Sequence, residues 1–146
     1  MRLTRQTDYA IRVALDLAGQ PGHGSDVRAI AGRQCVPEAY AAKIVQALAR
    51  AGLVVTARGA RGGVRLARDP AKVTLLEIVE AAEGPTLFTR CMLWPGECPP
   101  LAQCALHPIL DGLREAVQGY LQSMTLEELA RRAGPQAGGA EERSAG

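Results

Sequence analysis

The chain has 146 residues and carries 17 Lys and Arg against 15 Asp and Glu, so its formal net charge is +2. Apolar residues make up 47% of it, enough to bury a core and to exclude a disordered chain. No run of about 18 apolar residues is present, and the first residues lack the apolar segment of a secretory signal. We therefore expect a cytoplasmic protein that does not enter a membrane.

The charges are distributed unevenly between the two halves of the chain. Residues 1–70 hold 11 Lys and Arg against 5 Asp and Glu, whereas residues 71–146 hold 6 against 10. A basic half beside an acidic half is typical of a protein whose first half meets a polyanion, although solvated surface charge gives the same totals.

The first half predicts three helices followed by a hairpin. The first helix begins after Thr4 or Thr7 and stops at Gly19, and the second follows Asp26. Pro37 is a favourable first residue for the third helix, which ends at Gly52. We expect the inner side of the third helix to carry Tyr40, Ile44, Val45 and Leu48. Strands at 53–57 and 64–67 enclose a glycine-rich turn, and this layout is that of a winged helix-turn-helix.

The second half predicts a long loop between helices. Thr74 and Glu77 form a capping box for a helix that runs to about residue 82, and Thr125 and Glu128 form another. Pro108 opens a long amphipathic helix whose apolar stripe has too little partner surface in one chain, which favours a homodimer. The predicted fold is mainly α with a small β-hairpin. The predicted regions are a winged helix-turn-helix domain (1–83), a cysteine-rich loop (84–106), a dimerisation helix with a short closing helix (107–132) and a disordered tail (133–146).

Several polar side chains of the basic half are candidate contacts to double-stranded DNA. A lysine near the start of a recognition helix can reach guanine or phosphate, and arginines in a glycine-rich hairpin can enter a minor groove. The alternatives are a core position for the tyrosine and ordinary solvated charges for the others. The candidates are Glu38, Tyr40 and Lys43 in the third helix, Arg58 and Arg61 in the hairpin, and Arg2 and Arg5 at the N-terminus.

Three of the four cysteines lie within 14 residues, in the pattern Cys91-x6-Cys98-x5-Cys104-x2-His107. Thiolates select iron–sulfur clusters or zinc over hard cations, and the three cysteines with His107 would also satisfy tetrahedral zinc. A reversible disulfide is a third interpretation. Cys35 stands apart, and we expect it to be packed in the core.

Three thiolates leave an iron–sulfur cluster one ligand short of four. The candidate fourth ligands are His107 and Asp8, of which Asp8 would have to come from elsewhere in the fold or from a dimer partner. An enzyme that uses a metal or a thiol would need an acid–base partner near the cysteines, and the sequence offers only His107 and scattered glutamates. We therefore expect no catalytic activity.

These residues together resemble the Rrf-type family of winged-helix regulators, which includes the iron–sulfur regulators IscR, NsrR and RirA. The opening Met-Arg-Leu-Thr with Thr7-Asp8-Tyr9-Ala10 is similar to the N-terminus of that family. The segments 51–54 and 58–66 are similar to its wing, and the cysteine loop and the closing Thr125-Leu126-x-x-Leu129 match as well. The resemblance covers residues 1–132.

The resemblance implies a homodimer that binds an imperfect palindrome, and a cluster held by Cys91, Cys98 and Cys104. It implies a fourth ligand at the position of Asp8, from the other subunit, in nitric-oxide-sensing members, and at His107 in cluster-biogenesis members. This chain has both residues; its start and wing look closest to the rhizobial iron-responsive members, which favours Asp8 and a four-iron over a two-iron cluster. The expected function is a repressor that senses iron or nitric oxide, the alternative being a cluster-free thiol or zinc-dependent regulator of the same fold.

Overall fold

The computed structural model describes residues 3–20, 22–60, 62–84, 88 and 104–134. It is mainly helical with one antiparallel hairpin, as the sequence predicts. The elements, in chain order, are α1 (Arg5–Ala18), α2 (Val27–Gln34), α3 (Glu38–Arg50), β1 (Val54–Ala57), β2 (Gly63–Leu66), a 3₁₀ turn (Pro70–Lys72), α4 (Leu75–Glu83), α5 (His107–Ser123) and α6 (Leu126–Ala133).

The helix starts follow from side-chain caps in most cases. Thr4, rather than Thr7, caps α1, and its Oγ1 accepts from the backbone N–H of Gln6 at 3.1 Å. Asp26 precedes α2 but makes no side-chain cap, and Pro37 lies just outside α3 instead of at its first position. The capping box of Thr74 and Glu77 is fully formed at the start of α4.

One hydrophobic core joins α1, α3, α4, the hairpin and the start of α6. It is built from apolar residues that recur at helical spacing, and Leu126 of α6 is completely buried in it. The starts of α4 and α6 are tied together, because Leu75 donates its N–H to Met124 O and Leu126 donates to Val73 O, both at 2.8 Å. After α5, the chain therefore packs again, through α6, against the domain that contains α1–α4.

Two expectations for the helix-turn-helix are wrong. Cys35 ends α2 in the left-handed conformation (φ +52°), and its side chain is exposed instead of packed in the core. In that turn the next residue, Val36, takes the buried position and donates its N–H to Ala31 O at 3.0 Å. Tyr40 was expected on the inner side of α3, but it is 48% exposed, and Ala41 is buried there instead.

The helix α5 differs from the other helices because it buries none of its residues. One side of the predicted apolar stripe faces away from the chain, with Ile109 66%, Leu113 48% and Tyr120 63% exposed. The other side is half-buried, and it carries Leu110, Val117 and Leu121. In the described ranges no helix is long and apolar enough to cross a membrane. The predicted disordered tail starts too early, because α6 extends to Ala133; its residues 135–146 and most of the predicted loop lie outside the described residues.

Candidate nucleic-acid interface and metal centre

The start of α3 presents an aromatic and a cationic side chain that support each other. The ring of Tyr40 meets the ring of Tyr9 from α1 edge to face, with centroids 5.7 Å apart. Lys43 Nζ lies 5.8 Å from the centroid of the Tyr40 ring, within the range of a cation–π contact. Tyr40 therefore connects α3 to α1 and still exposes half of its surface beside an exposed lysine.

Glu38, the first residue of α3, faces a cation of the preceding helix. Arg28 Nε lies 3.7 Å from Glu38 Oε2, and both side chains are largely exposed. Such an exposed pair contributes well under about 1 kcal/mol, so a phosphate could compete for the arginine. Arg28 was not among the predicted DNA contacts, although the first helix of a helix-turn-helix crosses the DNA backbone and its cations are natural phosphate contacts.

The hairpin closes through a tight turn that requires glycine. The strands pair in the register Val54 with Leu66 and Ala57 with Gly63. A Cβ atom on Gly62 would lie 2.3 Å from Ala57 O, so only glycine fits there. Arg58 is exposed at the end of β1. Arg65 on β2 is exposed as well, and the sequence analysis did not single it out.

The N-terminal candidates have different outcomes. Arg5 is exposed in the first turn of α1. Arg2 lies outside the described residues, as does Arg61 at the tip of the hairpin. Their roles as DNA contacts stay predictions.

Of the predicted metal ligands, the structure describes Cys104, Asp8 and His107, whereas Cys91 and Cys98 lie outside the described residues. Cys104 is a half-buried free thiol just before α5. His107 begins α5, donates its backbone N–H to Cys104 O at 3.2 Å, and places Nε2 3.1 Å from Asp111 Oδ2. Within the described part of the chain, no three His, Cys, Asp or Glu residues converge as metal ligands.

Asp8 lies on the exposed side of α1 and pairs with Arg12 one turn later. The distance from Arg12 Nε to Asp8 Oδ2 is 3.0 Å. Arg12 also donates through Nη1 to Gln34 O at 3.4 Å, which connects this pair to the end of α2. The carboxylate is therefore accessible, and its present partner is a solvent-exposed cation.

Glu83, the last residue of α4 and the residue before the predicted cysteine-rich loop (84–106), contacts the start of α1. Its Oε1 accepts from Thr4 N–H at 2.8 Å, from Thr4 Oγ1 at 2.7 Å and from the Thr7 hydroxyl. Partial burial alone would raise the pKa of Glu83, but the hydrogen bonds from Thr7 and Thr4 outweigh it and lower that pKa. The sequence analysis missed this contact, because nothing in the local pattern pairs residues so far apart in the chain.

The exposed basic residues of α2, α3 and the hairpin, on a fold of this type, define a winged-helix DNA-binding protein. The comparisons with known proteins give the same class. Residues 3–132 match the model of the Rrf2 family, described as iron-dependent transcriptional regulators. The chain belongs to this family, and it is a transcriptional regulator rather than an enzyme.

Individual relatives are similar over nearly the whole chain. Protein aau3 of Rhizobium meliloti is 38% identical over 133 residues, which cover 90% of this chain and 86% of that protein. The regulator NsrR of Bacillus subtilis is 31% identical over 133 residues, covering 90% and 91% of the two chains. The solved structure of CymR, the global cysteine regulator of Bacillus subtilis, aligns with a TM-score of 0.75 at 29% identity and covers 90% of this chain and 98% of that one.

Proposed function

We propose that the chain is a cytoplasmic homodimeric repressor whose DNA binding is controlled by an iron–sulfur cluster that reports iron availability or nitric oxide. The observation that carries this proposal is the contact of Glu83 with Thr4 and Thr7. It connects the residue that precedes the cysteine segment to the first turn of α1, which carries Arg5 and Asp8. A change in the order of that segment therefore has a direct route to the DNA-binding domain.

On the DNA side, the proposal assigns base and phosphate contacts to α3 and the hairpin. Lys43 and Tyr40 at the start of α3 supply the groove contacts, with Glu38 beside them. Arg58 and Arg61 supply the wing contact, and Arg2 and Arg5 supply phosphate contacts at the N-terminus. Support comes from the exposure of Lys43, Arg58 and Arg5 on the described surface.

The dimer is proposed to form through α5. Its apolar stripe is too exposed for a helix of a soluble monomer, and an isologous contact would cover the same stripe on both copies. Two chains related in this way can present their α3 helices to half-sites about 34 Å apart.

The proposed ligands of the cluster are Cys91, Cys98, Cys104 and a fourth residue, for which Asp8 is favoured over His107. The donor set fits this group: three thiolates suit iron, Cys104 is free to ligate, and Asp8 is accessible with only a surface ion pair to give up. When bound, the cluster supplies a reactive iron site that small molecules attack. An Asp8 ligand would tie residues 84–106 to α1 in addition to the tie that Glu83 makes.

The proposed coupling needs only a modest free energy. Glu83 holds the N-terminus of α1, and α1 holds α3 through Tyr9 and Tyr40. A coupling of about 1–3 kcal/mol changes affinity by about 5–150-fold, which is sufficient for a switch.

The test begins with protein purified without oxygen. We expect broad visible absorption, about four iron and four sulfide per chain, and loss of the absorption on titration with nitric oxide or an iron chelator. Operator affinity is then measured for the loaded and stripped forms, and equal affinities across all candidate operators would contradict the switch.

The chain supplies its own matched control. Cys104→Ser is expected to lose iron, whereas Cys35→Ser changes an exposed thiol at the end of α2 and is expected to keep it. Asp8→Ala and His107→Ala then compare the two candidate fourth ligands, and we expect only Asp8→Ala to make the iron labile.

The second candidate function is a cluster-free regulator that responds to thiol oxidation or zinc. It is favoured by the similarity to a structure named as a cysteine regulator and by the free thiol of Cys104. A colourless protein that holds neither iron nor sulfide, and that accepts no reconstituted cluster, would support this candidate over the first.

A further inference from the structure

An ion pair between a buried carboxylate and an exposed arginine joins α1 to α2. Asp16 lies on the apolar side of α1, and its side chain is only 4% exposed. Arg33 meets it with two parallel bonds, Nε to Oδ1 at 2.8 Å and Nη2 to Oδ2 at 2.7 Å. Gln34 Nε2 also donates to Oδ1, at 3.1 Å. The hydrogen bond to Asp16 and the charge of its carboxylate raise the pKa of Arg33.

The same arginine reaches Ser25, which lies in the loop before α2 and forms a β-bridge with β2 of the hairpin. Arg33 Nη2 donates to Ser25 Oγ at 3.2 Å, and the Gln20 amide lies 3.1 Å from that oxygen. Ser25 and Val64 of β2 exchange two backbone hydrogen bonds. Ser25 N–H donates to Val64 O at 2.9 Å, and Val64 N–H donates to Ser25 O at 2.8 Å. Ser25 thus connects the Asp16–Arg33 pair to the hairpin.

Close backbone contact leaves the wing little freedom at this point. A Cβ atom on Gly24 would lie 2.4 Å from Gly62 O, so the loop before α2 sits directly against the hairpin. The hairpin carries Arg58, whereas α3, which carries Lys43, packs against α1 and α2. The position of one cation relative to the other therefore depends on how α1, α2 and residue 25 are held together.

We propose that Asp16 and Ser25 are positioning residues for DNA binding, because with Arg33 they fix the wing relative to α3 so that both reach one duplex. The inference rests on the proposed DNA contacts of Arg58 and Lys43, and it does not require a cluster. Neither residue touches DNA in this proposal, and both act through the arginine at the end of β1.

The predicted sign separates this role from simple electrostatics. Asp16→Asn removes a negative charge, which by itself would strengthen binding to a polyanion. We expect the opposite, namely about tenfold weaker binding. The slope of log affinity against log salt should also become less steep, by about the amount that one phosphate contact contributes. Asp26→Asn, the same change at an exposed aspartate without a side-chain cap, is the matched control and is expected to bind at least as tightly as the parent.

The decisive experiment is a double-mutant cycle on the full-length protein. The probe is a duplex of about 30 base pairs enriched from a random pool by the unmodified chain, long enough for two half-sites. In an Arg58→Ala background, Asp16→Asn should weaken binding by less than about twofold further, because the wing contact is already gone. In a Lys43→Ala background it should keep its full effect.

A merely structural role predicts a different pattern. Loss of folded protein would weaken binding by the same factor in both backgrounds, and that result would overturn the proposal. If Arg58→Ala left the affinity unchanged, both the proposed wing contact and the positioning would be overturned. Arg58→Ala could also weaken binding while the effect of Asp16→Asn on affinity stays additive with it. That result would overturn the positioning role and leave the wing contact in place.

Ser25→Ala provides a second variant should Asp16→Asn fold poorly. It removes only the hydroxyl that joins the ion pair to the hairpin and leaves the Asp16–Arg33 bonds in place. We expect Ser25→Ala to weaken binding about threefold in the parent background and to have no further effect in the Arg58→Ala background. Unchanged binding of Ser25→Ala in the parent background would overturn the role assigned to the hydroxyl.

Discussion

The DNA-binding domain and α5 differ in how far their side chains are buried and hydrogen-bonded within the chain. In the domain, apolar residues of α1, α3, α4 and β1 meet in one core, and even a buried carboxylate has three donors. In α5, which is the longest described helix, no residue is buried, and no side chain caps the first turn. The domain buries its apolar residues within one chain, whereas α5 leaves Ile109, Leu113 and Tyr120 exposed in the described part of the chain.

The largest expected effect is on the α5 side of this comparison. Leu113→Asp places a charge in the middle of the exposed apolar stripe and should leave the domain folded, because Leu113 contributes nothing to the core. We expect a monomer in sedimentation, with operator affinity lowered by about 10²–10⁴-fold through loss of the linked second half-site. Gln122→Asp adds the same charge on the opposite face of α5 and should stay dimeric; if both variants remained dimers, α5 would not be the interface.

The same substitution on both sides sharpens the contrast. Ile78→Ala in α4 removes a fully buried side chain and should lower the free energy of unfolding by about 2–5 kcal/mol. Ile109→Ala in α5 changes a residue that is 66% exposed, so its effect on unfolding should be small in the monomeric Leu113→Asp background. Urea unfolding followed by circular dichroism measures both, and equal losses would mean that Ile109 packs against its own domain as closely as Ile78 does.

These two regions also differ in how far the sequence predicts them. The helical spacing of Ala10, Val13 and Leu17 and the two Thr-x-x-Glu caps predict α1, α4 and α6, and the glycine-rich turn predicts the wing. Local pattern is sufficient there, because propensity, capping and burial agree. The exposed stripe of α5 is predicted equally well, since periodicity does not depend on which surface covers it.

The contacts that the sequence did not predict are those between distant residues. Asp16 follows Val13 by three positions on the buried side of α1, so a charge at an apolar position was the available signal, but its partner Arg33 lies in another helix. Glu83 likewise meets Thr4 and Thr7 from the far end of α4. Cys35 was expected in the core because a small thiol lies in the turn between two helices. Its left-handed backbone, which no local pattern predicted, places the side chain on the surface instead.

Capping gives a smaller test within the domain. Thr74→Ala removes the hydroxyl that accepts from Glu77 N–H and donates to Glu77 Oε2, leaves the bond from the residue 74 N–H to the Glu77 carboxylate, and should lower the free energy of unfolding by about 1 kcal/mol. Thr125→Ala removes a cap in which only the threonine accepts, from Glu128 N–H at 3.1 Å, and should cost less. Equal midpoints for the parent and Thr74→Ala in urea would mean that the bonds of the Glu77 carboxylate, to the residue 74 N–H and to Arg68 Nη2, are sufficient to hold this helix start.

The smallest expected effect is a pH dependence at the base of the wing. Partial burial alone would raise the pKa of Glu77, but the Thr74 N–H and the bond and charge of Arg68 outweigh it and lower that pKa below its ordinary 4.5. The stabilisation is therefore present above pH 4.5 and is lost as the pH falls below it. Because the pair is over a third exposed, its contribution should be under about 1 kcal/mol.

Glu77→Gln isolates this titration, because glutamine can still complete a capping box. Its free energy of unfolding should depend less on pH than that of the parent between about pH 3 and pH 5. Parallel curves for the two proteins in urea titrations would contradict the assignment.

The bonds between the starts of α4 and α6 have a consequence for the order in which the chain acquires its structure during synthesis. Leu126 lies in the core of the DNA-binding domain, and its N–H bonds to Val73 only after all of α5 has been made. The ribosome therefore releases the recognition helix and the wing long before the domain that holds them is closed. The wing and the recognition helix reach their final stability only after residues 84–106 and α5 have also emerged. The three clustered cysteines and the exposed apolar residues of α5 are therefore available when the domain first becomes competent to bind DNA.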